Sequence, residues 1–365
     1  MTIEGHATGE GTQRFKQRQV IKESYRPAGD LHISTLGIGT YLGDPDDRTD
    51  RLVTEAVLES VRGGVNLIDT AINYRYQRAE KCVGAALQKA IEAGEVQRDE
   101  IVVCTKGGFV PTGDDPSAWF DKEYLQKNQD IQKADLVAGC HCMHPEYLRD
   151  QLDRSLKNLG LETIDVYYLH NPETQLRAVK PKEYSARLRA AFETLEQACD
   201  QGKIGCYGLA TWNAFRVPPD QHDYMNLADI KKLAKKASGK KPDRLRYVQL
   251  PFNLAMPEAL LATQKIGKEE VPVLEAARQL KIEVVSSASI CQGQIIGQIP
   301  EALGEALGRD LTDAQRALQF TRSTPGLTSA LVGMKAIEHV KENLALIKMA
   351  PLETDAYLAS LQSAT

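Results

Sequence analysis

Four residues of this sequence could together carry out acid–base chemistry: Asp69, Tyr74, Lys106 and His170. They provide a carboxylate, a phenol, an ammonium and an imidazole, and these groups follow three short apolar segments of the chain. The segments are 65–68, 101–104 and 166–169. Four different titratable side chains placed in this way are hard to explain as packing, so we interpret them as a candidate catalytic centre.

The elements that must position these residues follow from the apolar segments. Each segment is rich in Val, Ile and Leu and is flanked by longer stretches with helical periodicity, which is typical of buried parallel strands. Side chains at the C-terminal ends of parallel strands point into one shared mouth, where barrel enzymes keep their chemistry. We therefore expect the four side chains to meet at such a mouth.

The same strand–helix alternation continues along nearly the whole chain. The predicted strands are 36–40, 65–68, 101–104, 165–169, 204–211, 247–250, 284–289 and 329–332. The predicted helices are 50–62, 78–93, 147–159, 183–200, 225–236, 271–280, 313–322 and 337–346. Eight such units favour an α/β protein with a single (β/α)8 TIM barrel over residues 31–350. Residues 1–30 are predicted to be a polar, mobile leader, and residues 351–365 a C-terminal tail.

The connection between the third strand and its helix, residues 107–143, is longer than such a loop normally needs. It should lie at the C-terminal mouth, and it carries Trp119, Phe120 and Tyr124. One interpretation is a lid or pocket wall that affects substrate choice. The other is a surface excursion whose aromatic side chains simply pack on the barrel. The sequence leaves both open.

Bulk properties exclude some classes of partner. The chain has 365 residues and a formal net charge of −4, which argues against nucleic acid or an anionic membrane because both favour concentrated positive charge. No apolar run approaches the ~18 residues needed to span a bilayer, and the first thirty residues lack the apolar core of a signal peptide. Seven scattered cysteines favour reduced thiols and a cytoplasmic location. The oligomeric state stays open.

Several short motifs follow one another along the chain. They are Gly39-Thr40-Tyr41, Asn66-Leu-Ile-Asp69-Thr-Ala-x-x-Tyr74, Thr105-Lys106, Tyr168-Leu-His170-Asn-Pro172, Gln201-Gly-Lys203-Ile-Gly-x-x-Gly208, and Gly333 with Glu342-Asn343 nine residues later. Together they resemble the motifs of the aldo-keto reductases, and the resemblance runs from Leu36 to Ile347. Each motif alone is modest, but their order and their placement at strand ends make the joint match strong.

The resemblance implies an oxidoreductase that transfers a hydride between NAD(P)H and the carbonyl or alcohol of a small organic molecule. Tyr74 is then the general acid or base. A free tyrosine has a pKa near ~10, so it is a poor acid at neutral pH unless its ionised form is stabilised. Lys106 supplies the positive charge for this, and Asp69 pairs with the lysine and holds it in place. His170 orients the carbonyl or shuttles a proton.

The resemblance also implies a cofactor site without a G-x-G-x-x-G motif, since the family binds its nicotinamide nucleotide across the C-terminal face of the barrel. The matching positions are Gly39, Thr40, Asp69, Thr211, Gln249, Ser287, Ile290, Gln292, Gly293, Met334, Lys335, His339, Glu342 and Asn343. Lys335 could hold a 2′-phosphate as a point charge, which favours NADP(H) over NAD(H), or it could be an ordinary exposed lysine. The substrate pocket is predicted to include Tyr41, Trp119 and Trp212.

Two positions depart from the family pattern and bear on cofactor affinity. Thr211 stands where the fifth strand usually ends in Ser-Asn, and Ser287 stands near where an aromatic ring often stacks on the nicotinamide. Two other classes of function stay open. One is a redox-neutral epimerase or isomerase that retains its nucleotide, and the other is a regulatory barrel that senses nucleotide.

A cluster of possible metal ligands, Cys140-His-Cys142-Met-His144, lies at the end of the long connection. Ligands at such tight spacing need partners elsewhere, and the sequence has no second Cys-x-x-Cys to provide them. We therefore predict no metal site.

Overall fold

The computed structural model describes residues 2–127 and 130–362. Its strands are β1 (Tyr25–Ala28), β2 (Leu31–Ser34), β3 (Leu36–Gly39), β4 (Leu67–Asp69), β5 (Val102–Gly107), β6 (Ile164–His170), β7 (Ile204–Ala210), β8 (Leu245–Pro251), β9 (Thr263–Ile266), β10 (Glu269–Pro272), β11 (Glu283–Ser287) and β12 (Ser329–Gly333). Eight of them close into a parallel barrel in the order β11-β12-β3-β4-β5-β6-β7-β8. The predicted (β/α)8 TIM barrel is confirmed.

The helices of the described residues surround this barrel. They are α1 (Gly9–Gln17), α2 (Asp47–Arg62), α3 (Arg78–Glu92), α4 (Pro116–Phe120), α5 (Pro145–Leu159), α6 (Pro181–Asp200), α7 (Leu227–Ala237), α8 (Glu258–Leu261), α9 (Val273–Gln279), α10 (Glu301–Leu307), α11 (Asp313–Ser323), α12 (Ile337–Leu344) and α13 (Thr354–Gln362). The eight predicted helices correspond to α2, α3, α5, α6, α7, α9, α11 and α12. As an example of local control, α5 starts at Pro145, whose fixed φ suits a first turn, and is capped by Gly160 at φ 65°.

Side-chain alternation along the strands decides which residues reach the barrel axis. Cys104 of β5 and Tyr168 of β6 belong to the buried cluster inside the barrel. Lys106 and His170 come two residues later on the same faces, so both side chains point inward at the C-terminal mouth. Asp69, the last residue of β4, pairs in register with Cys104 and lies beside them.

Residues 2–30 differ from the mobile leader that we expected. They form α1 and the first strand of an antiparallel hairpin, β1–β2. The backbone N–H of Ala7 donates to Asp165 Oδ1 at 2.7 Å, Arg14 Nε donates to Glu100 at 2.9 Å, and Phe15 is buried. Ion pairs and backbone hydrogen bonds hold much of this segment in place. Because such contacts need only polar residues, the polar sequence gave little sign that the segment is structured. The predicted domain boundaries stay a prediction.

The C-terminal segment also differs from a simple tail. Helix α13 buries Tyr357, whose ring lies 5.4 Å from that of Phe320 and whose hydroxyl accepts a hydrogen bond from Thr324 at 2.9 Å. Ser360 is also buried and Leu361 packs against the core, so α13 is docked on α10 and α11. Residues 363–365 of the predicted tail lie outside the described part of the chain.

The long connection after β5 packs mainly against the outside of α5. Helix α4 and a π-helical turn at Asp121–Leu125 place Phe120 and Tyr124 with ring centroids 5.7 and 5.0 Å from that of Tyr147. The Tyr124 hydroxyl also bonds to Asp150. These contacts favour the surface excursion over the lid for this stretch, although residues 128–129 lie outside the description.

A second antiparallel hairpin, β9–β10, lies between β8 and α9. Its strands are mostly exposed, so they add no second core to the barrel. Across the described ranges, no helix combines the length and the apolar character that crossing a membrane requires.

Candidate active site

The centre of the mouth is a buried ion pair between β4 and β5. Lys106 is fully buried, and its Nζ lies 2.5 Å from Asp69 Oδ1 and 2.9 Å from the carbonyl oxygen of Thr70. The second oxygen of Asp69 accepts a hydrogen bond from Gln249 at 2.7 Å. Burial is the largest single influence on the pKa of Lys106 and lowers it, but the charges and hydrogen bonds of Asp69 and Tyr74 together outweigh burial and the pKa is raised. The ammonium therefore stays charged at neutral pH.

Tyr74 follows this ion pair in the loop after β4. Its ring centroid lies 4.8 Å from Lys106 Nζ, 5.0 Å from the ring centroid of Tyr41 and 5.8 Å from that of His170. Burial raises the pKa of Tyr74 above its usual 10, and the charge and hydrogen bond of Lys106 offset this only in part. Lys106 acts in the expected direction, but the phenol keeps its proton at neutral pH.

The loop beyond Tyr74 has an unusual backbone. Arg75, Tyr76 and Gln77 have φ angles of 46°, 57° and 72°, a left-handed region that non-glycine residues seldom adopt. Such residues persist only where the surroundings hold them. Here the buried guanidinium of Arg75 pairs with Asp50 of α2 and so ties the loop to the helix layer.

His170 is the last residue of β6, and its ring stands edge-on to that of Tyr74. Burial lowers the pKa of its imidazole well below the usual 6.5, and the positive charge of Lys106 lowers it further. The ring is therefore neutral, with one nitrogen that donates and one that accepts. Its Nδ1 is buried and has no hydrogen-bond partner among the described residues.

One cavity of about 980 Å³ opens over these residues. This is at the upper end of the ~300–1,000 Å³ that is usual for small-molecule sites. All fourteen predicted cofactor positions line it, together with Tyr74, His170 and two of the three predicted substrate residues, Tyr41 and Trp212. Lys106 lies beneath the wall. The structure thus brings the predicted site residues together around a single cavity.

The part of the cavity that follows β11 and β12 fits a nucleotide. Ala288, Cys291 and Gln292 have φ angles of 54°, 47° and 53°, and backbone of this kind can form a concave anion site. Asn343 Oδ1 is buried at this end without a hydrogen-bond partner. Lys335 is exposed at the same end of the cavity and adds a positive charge there.

Trp119 does not line the cavity, contrary to the prediction. Its ring lies 5.7 Å from that of Tyr124 and 5.6 Å from the guanidinium carbon of Arg154 on α5. It therefore belongs to the aromatic cluster outside the barrel. The sequence alone could not tell whether Trp119 lies in the cavity wall or outside the barrel. An aromatic residue in a long loop carries no periodic signal of the surface that it covers.

Several lining residues were missed by the sequence analysis. Phe109, Asn73 and Asn171 line the cavity near Tyr74 and His170. A signal was available for each one, since Asn73 and Asn171 adjoin catalytic candidates and Phe109 follows two glycines directly after β5. Together they supply an apolar ring and two amides to the substrate side.

The Cys-His cluster of the long connection has other partners. His141 uses both ring nitrogens, one 2.8 Å from the carbonyl oxygen of His170 and the other 3.1 Å from Gln175 Nε2. Among the residues that the structure describes, no three His, Cys, Asp or Glu side chains are grouped as metal ligands.

The fold is a (β/α)8 barrel, and its mouth holds a tyrosine in contact with an ion-paired lysine. The Aldo/keto reductase family model then matches residues 35–235, more than half of the chain. The chain belongs to the aldo/keto reductase family and is an NAD(P)H-dependent oxidoreductase of carbonyl compounds.

Known relatives span most of the chain. The NADH-specific methylglyoxal reductase of Escherichia coli (strain K12) is 26% identical over 345 residues, covering 90% of this chain and 94% of the relative. Prostaglandin F synthase 1 of Bos taurus is 27% identical over 190 residues, covering 50% and 48%. An aldo/keto reductase from Klebsiella pneumoniae, solved in complex with NADP and acetate, has a TM-score of 0.62 at 18% identity and covers 94% and 96%. That last likeness bears on the fold.

Proposed function

We propose that this protein is an NADP(H)-dependent reductase of small neutral carbonyl compounds, with Tyr74 as its general acid. The observation that carries the proposal is the contact between the protonated Tyr74 and the buried, ion-paired Lys106 at the wall of the cavity. A phenol can protonate a carbonyl oxygen only if the developing phenolate is stabilised, and Lys106, which Asp69 holds in place, is the positive charge in contact with Tyr74.

The roles of the other residues follow from their contacts. Asp69 holds Lys106 in place with one carboxylate oxygen. Its other oxygen accepts a hydrogen bond from Gln249, which connects the ion pair to β8. His170, which is neutral and lines the cavity beside Tyr74, orients the carbonyl oxygen toward the hydroxyl of Tyr74. When bound, the nicotinamide nucleotide supplies the hydride for the carbonyl carbon. The proton that completes the alcohol comes from Tyr74 Oη.

Preference for NADP(H) rests on the charges near β12. Lys335 is exposed at the cavity edge and near the loop of Gly43, and His339 is exposed close by. The carboxylate of Glu342 accepts a hydrogen bond from Thr312 at 2.6 Å. These features support a 2′-phosphate here. The fourteen cofactor positions named above are proposed as the contact set.

Neutral substrates are favoured by the lining of the catalytic side. It consists of aromatic and amide side chains: Tyr41, Asn73, Phe109, Asn171 and Trp212. Apart from His170, the basic residues among the described lining are Lys335 and His339, which follow β12, four strands away from β6 around the ring. Lys106 is fully buried, is paired with Asp69 and is not among the residues that line the cavity. A substrate carboxylate would therefore find no cation here.

A cytoplasmic location and the absence of nucleic-acid and membrane partners remain predictions. The test of the proposed function is NADPH consumption by the purified protein with neutral aldehydes and ketones, each beside its carboxylate analogue. We expect consumption that needs the carbonyl and is faster with the neutral member of each pair. Tight NADPH binding without consumption would move the interpretation to the epimerase or to the nucleotide-sensing barrel. Equal rates for the acids would contradict the proposed substrate class.

A further inference from the structure

The β5–β6 ladder ends one residue before His170. The last register pair is Gly107 with Leu169, after which β5 turns away. The carbonyl of His170 therefore has no donor from β5, and His141, from the far end of the long connection, supplies one at 2.8 Å. A buried side chain takes the place of the missing strand.

The tautomer of His141 follows from its partners. A carbonyl oxygen can only accept, so His141 Nε2 must carry the hydrogen, and Nδ1 must accept from Gln175 Nε2 at 3.1 Å. The amide of Gln175 also donates to the carbonyl oxygen of His141 at 3.2 Å. Its oxygen accepts from Arg187 at 2.9 Å, which opposes a flip of the amide. The series of hydrogen bonds from Arg187 through Gln175 and His141 to the carbonyl of His170 therefore has donors and acceptors in one consistent order.

Phe109 links the two histidines on the cavity side. Its ring centroid lies 4.9 Å from that of His141 and 5.0 Å from that of His170, with interplanar angles of 79° and 89°. Edge-to-face pairs of this kind favour one relative orientation of the rings. Phe109 is also part of the cavity wall, so the contact reaches the substrate side directly.

Gly108 makes this arrangement possible. It has φ +137°, and a Cβ there would lie 2.9 Å from His141 Nε2 and 3.2 Å from the carbonyl oxygen of His170. A side chain would collide with the hydrogen bond itself. The backbone next to the site thus leaves room for His141 to reach β6.

We propose that His141 is a positioning residue that fixes His170 in the orientation needed for carbonyl binding. It acts through the backbone carbonyl of His170 and through the ring of Phe109. No proton can pass along this route, because His141 contacts the backbone and not the imidazole of His170. The inference rests on the proposed function for its effect on rate, but its effect on His170 is independent of that function.

The test compares His141→Leu, which removes both hydrogen bonds, with His141→Gln, whose amide can still donate to the carbonyl of His170. A displacement of about 1 Å in a positioning group can cost on the order of 100-fold in rate. We expect His141→Leu to lose about 10- to 100-fold in kcat/KM for the carbonyl, at unchanged NADPH affinity. His141→Gln should recover most of it. The matched control is His144→Asn, which keeps the cap of α5 and should stay within about twofold.

A second readout does not depend on activity. Histidine-selective ¹⁵N labelling reports the ring of His170, whose signal is identified by its loss in His170→Asn. We expect one sharp set of signals in the native protein and in His141→Gln, and shifted or broadened signals in folded His141→Leu. Unchanged His170 signals in His141→Leu would overturn the proposal. If the native protein reduces none of the carbonyls, the proposed function fails and these signals alone decide the role of His141.

Discussion

The catalytic side of the mouth and the nucleotide side are held in different ways. At the ends of β4, β5 and β6, Lys106 is fully buried and Asp69 has hydrogen bonds to both carboxylate oxygens. On the nucleotide side, Leu42 and Ile296 are 40% and 50% exposed, and Lys335 is exposed as well. The first region has its charges fixed before any ligand arrives. The second presents loop residues whose packing a ligand would complete.

This difference suggests where each kind of mutation should act. A buried charge that loses its partner costs folding free energy as well as activity. An exposed recognition group costs only binding, since water solvates it in the free protein. Substitution of a buried charge on the catalytic side should therefore change function and stability together, whereas substitution of an exposed group on the nucleotide side should change binding alone.

The largest effect is expected from Tyr74→Phe, which removes only the acidic hydroxyl. General acid catalysis contributes about 10²- to 10⁴-fold, and kcat should fall by a factor in this range. NADPH affinity and the urea midpoint should match those of the native protein. The measurement is single-turnover oxidation of bound NADPH beside a binding titration. Near-native turnover would refute the assignment of the acid.

Lys106→Met should lower both the activity and the stability of the protein. It removes the charge that stabilises the phenolate, and it leaves Asp69 buried without its cation, which typically costs about 3–5 kcal/mol. The double variant Lys106→Met with Asp69→Asn should regain most of the stability without regaining activity. Urea unfolding and NADPH consumption of the three proteins check this. Equal stability of single and double variants would mean that the buried carboxylate is not what destabilises the protein.

His141 should make the stability of the folded protein depend on pH. Burial lowers the pKa of His141 from 6.5 to about 4, so in this window the unfolded chain binds a proton that the folded chain does not. Stability is complete above about pH 6.5 and decreases as the pH falls toward 4. A difference of about 2.5 units at ~1.36 kcal/mol per unit gives about 3 kcal/mol. The lowered pKa of His170 also makes the stability fall with falling pH. Because His170 is present in both proteins, its contribution cancels when His141→Gln is compared with the native protein.

The check is the urea midpoint of native protein and His141→Gln at several pH values between about 4 and 7. The native midpoint should fall more steeply than that of the variant. Parallel curves would show that His141 titrates alike in the folded and unfolded states.

The smallest effect is expected on the nucleotide side. Lys335→Ala should weaken NADPH binding by roughly fivefold, as for an exposed ion pair worth about 1 kcal/mol, and leave NADH binding unchanged. The urea midpoint should not move. Fluorescence titration with both nucleotides measures this. An equal loss for NADH would remove the 2′-phosphate from the interpretation of Lys335.

The sequence predicted the barrel and the catalytic side well, because both depend on patterns that burial imposes. Apolar strands alternate with helices, and a titratable residue at a strand end is exceptional enough to be noticed. Asp69, Lys106 and His170 are all of this kind, and they meet as predicted. The family resemblance extended this to the loops after β11 and β12, whose residues line the cavity.

The parts that sequence reasoning missed are held by contacts between distant polar groups. The segment of α1 is fixed by Asp165 and Glu100, and His141 by Gln175 and a backbone carbonyl. Neither pairing leaves a periodic signal. Trp119 shows the same limit, since an aromatic residue in a loop can cover the mouth or the outer helices with equal gain in buried area.

The contacts of the first residues also bear on how the chain is made. Ile3 bonds to Gly160, and Gly5 and Ala7 bond to Glu162 and Asp165, partners 157 or 158 residues later in the latter two cases. At about 5–20 residues per second, a ribosome needs roughly 10–30 s to synthesise the intervening chain. The amino-terminal segment must stay undocked for that time before it can bind its partners at residues 160–165.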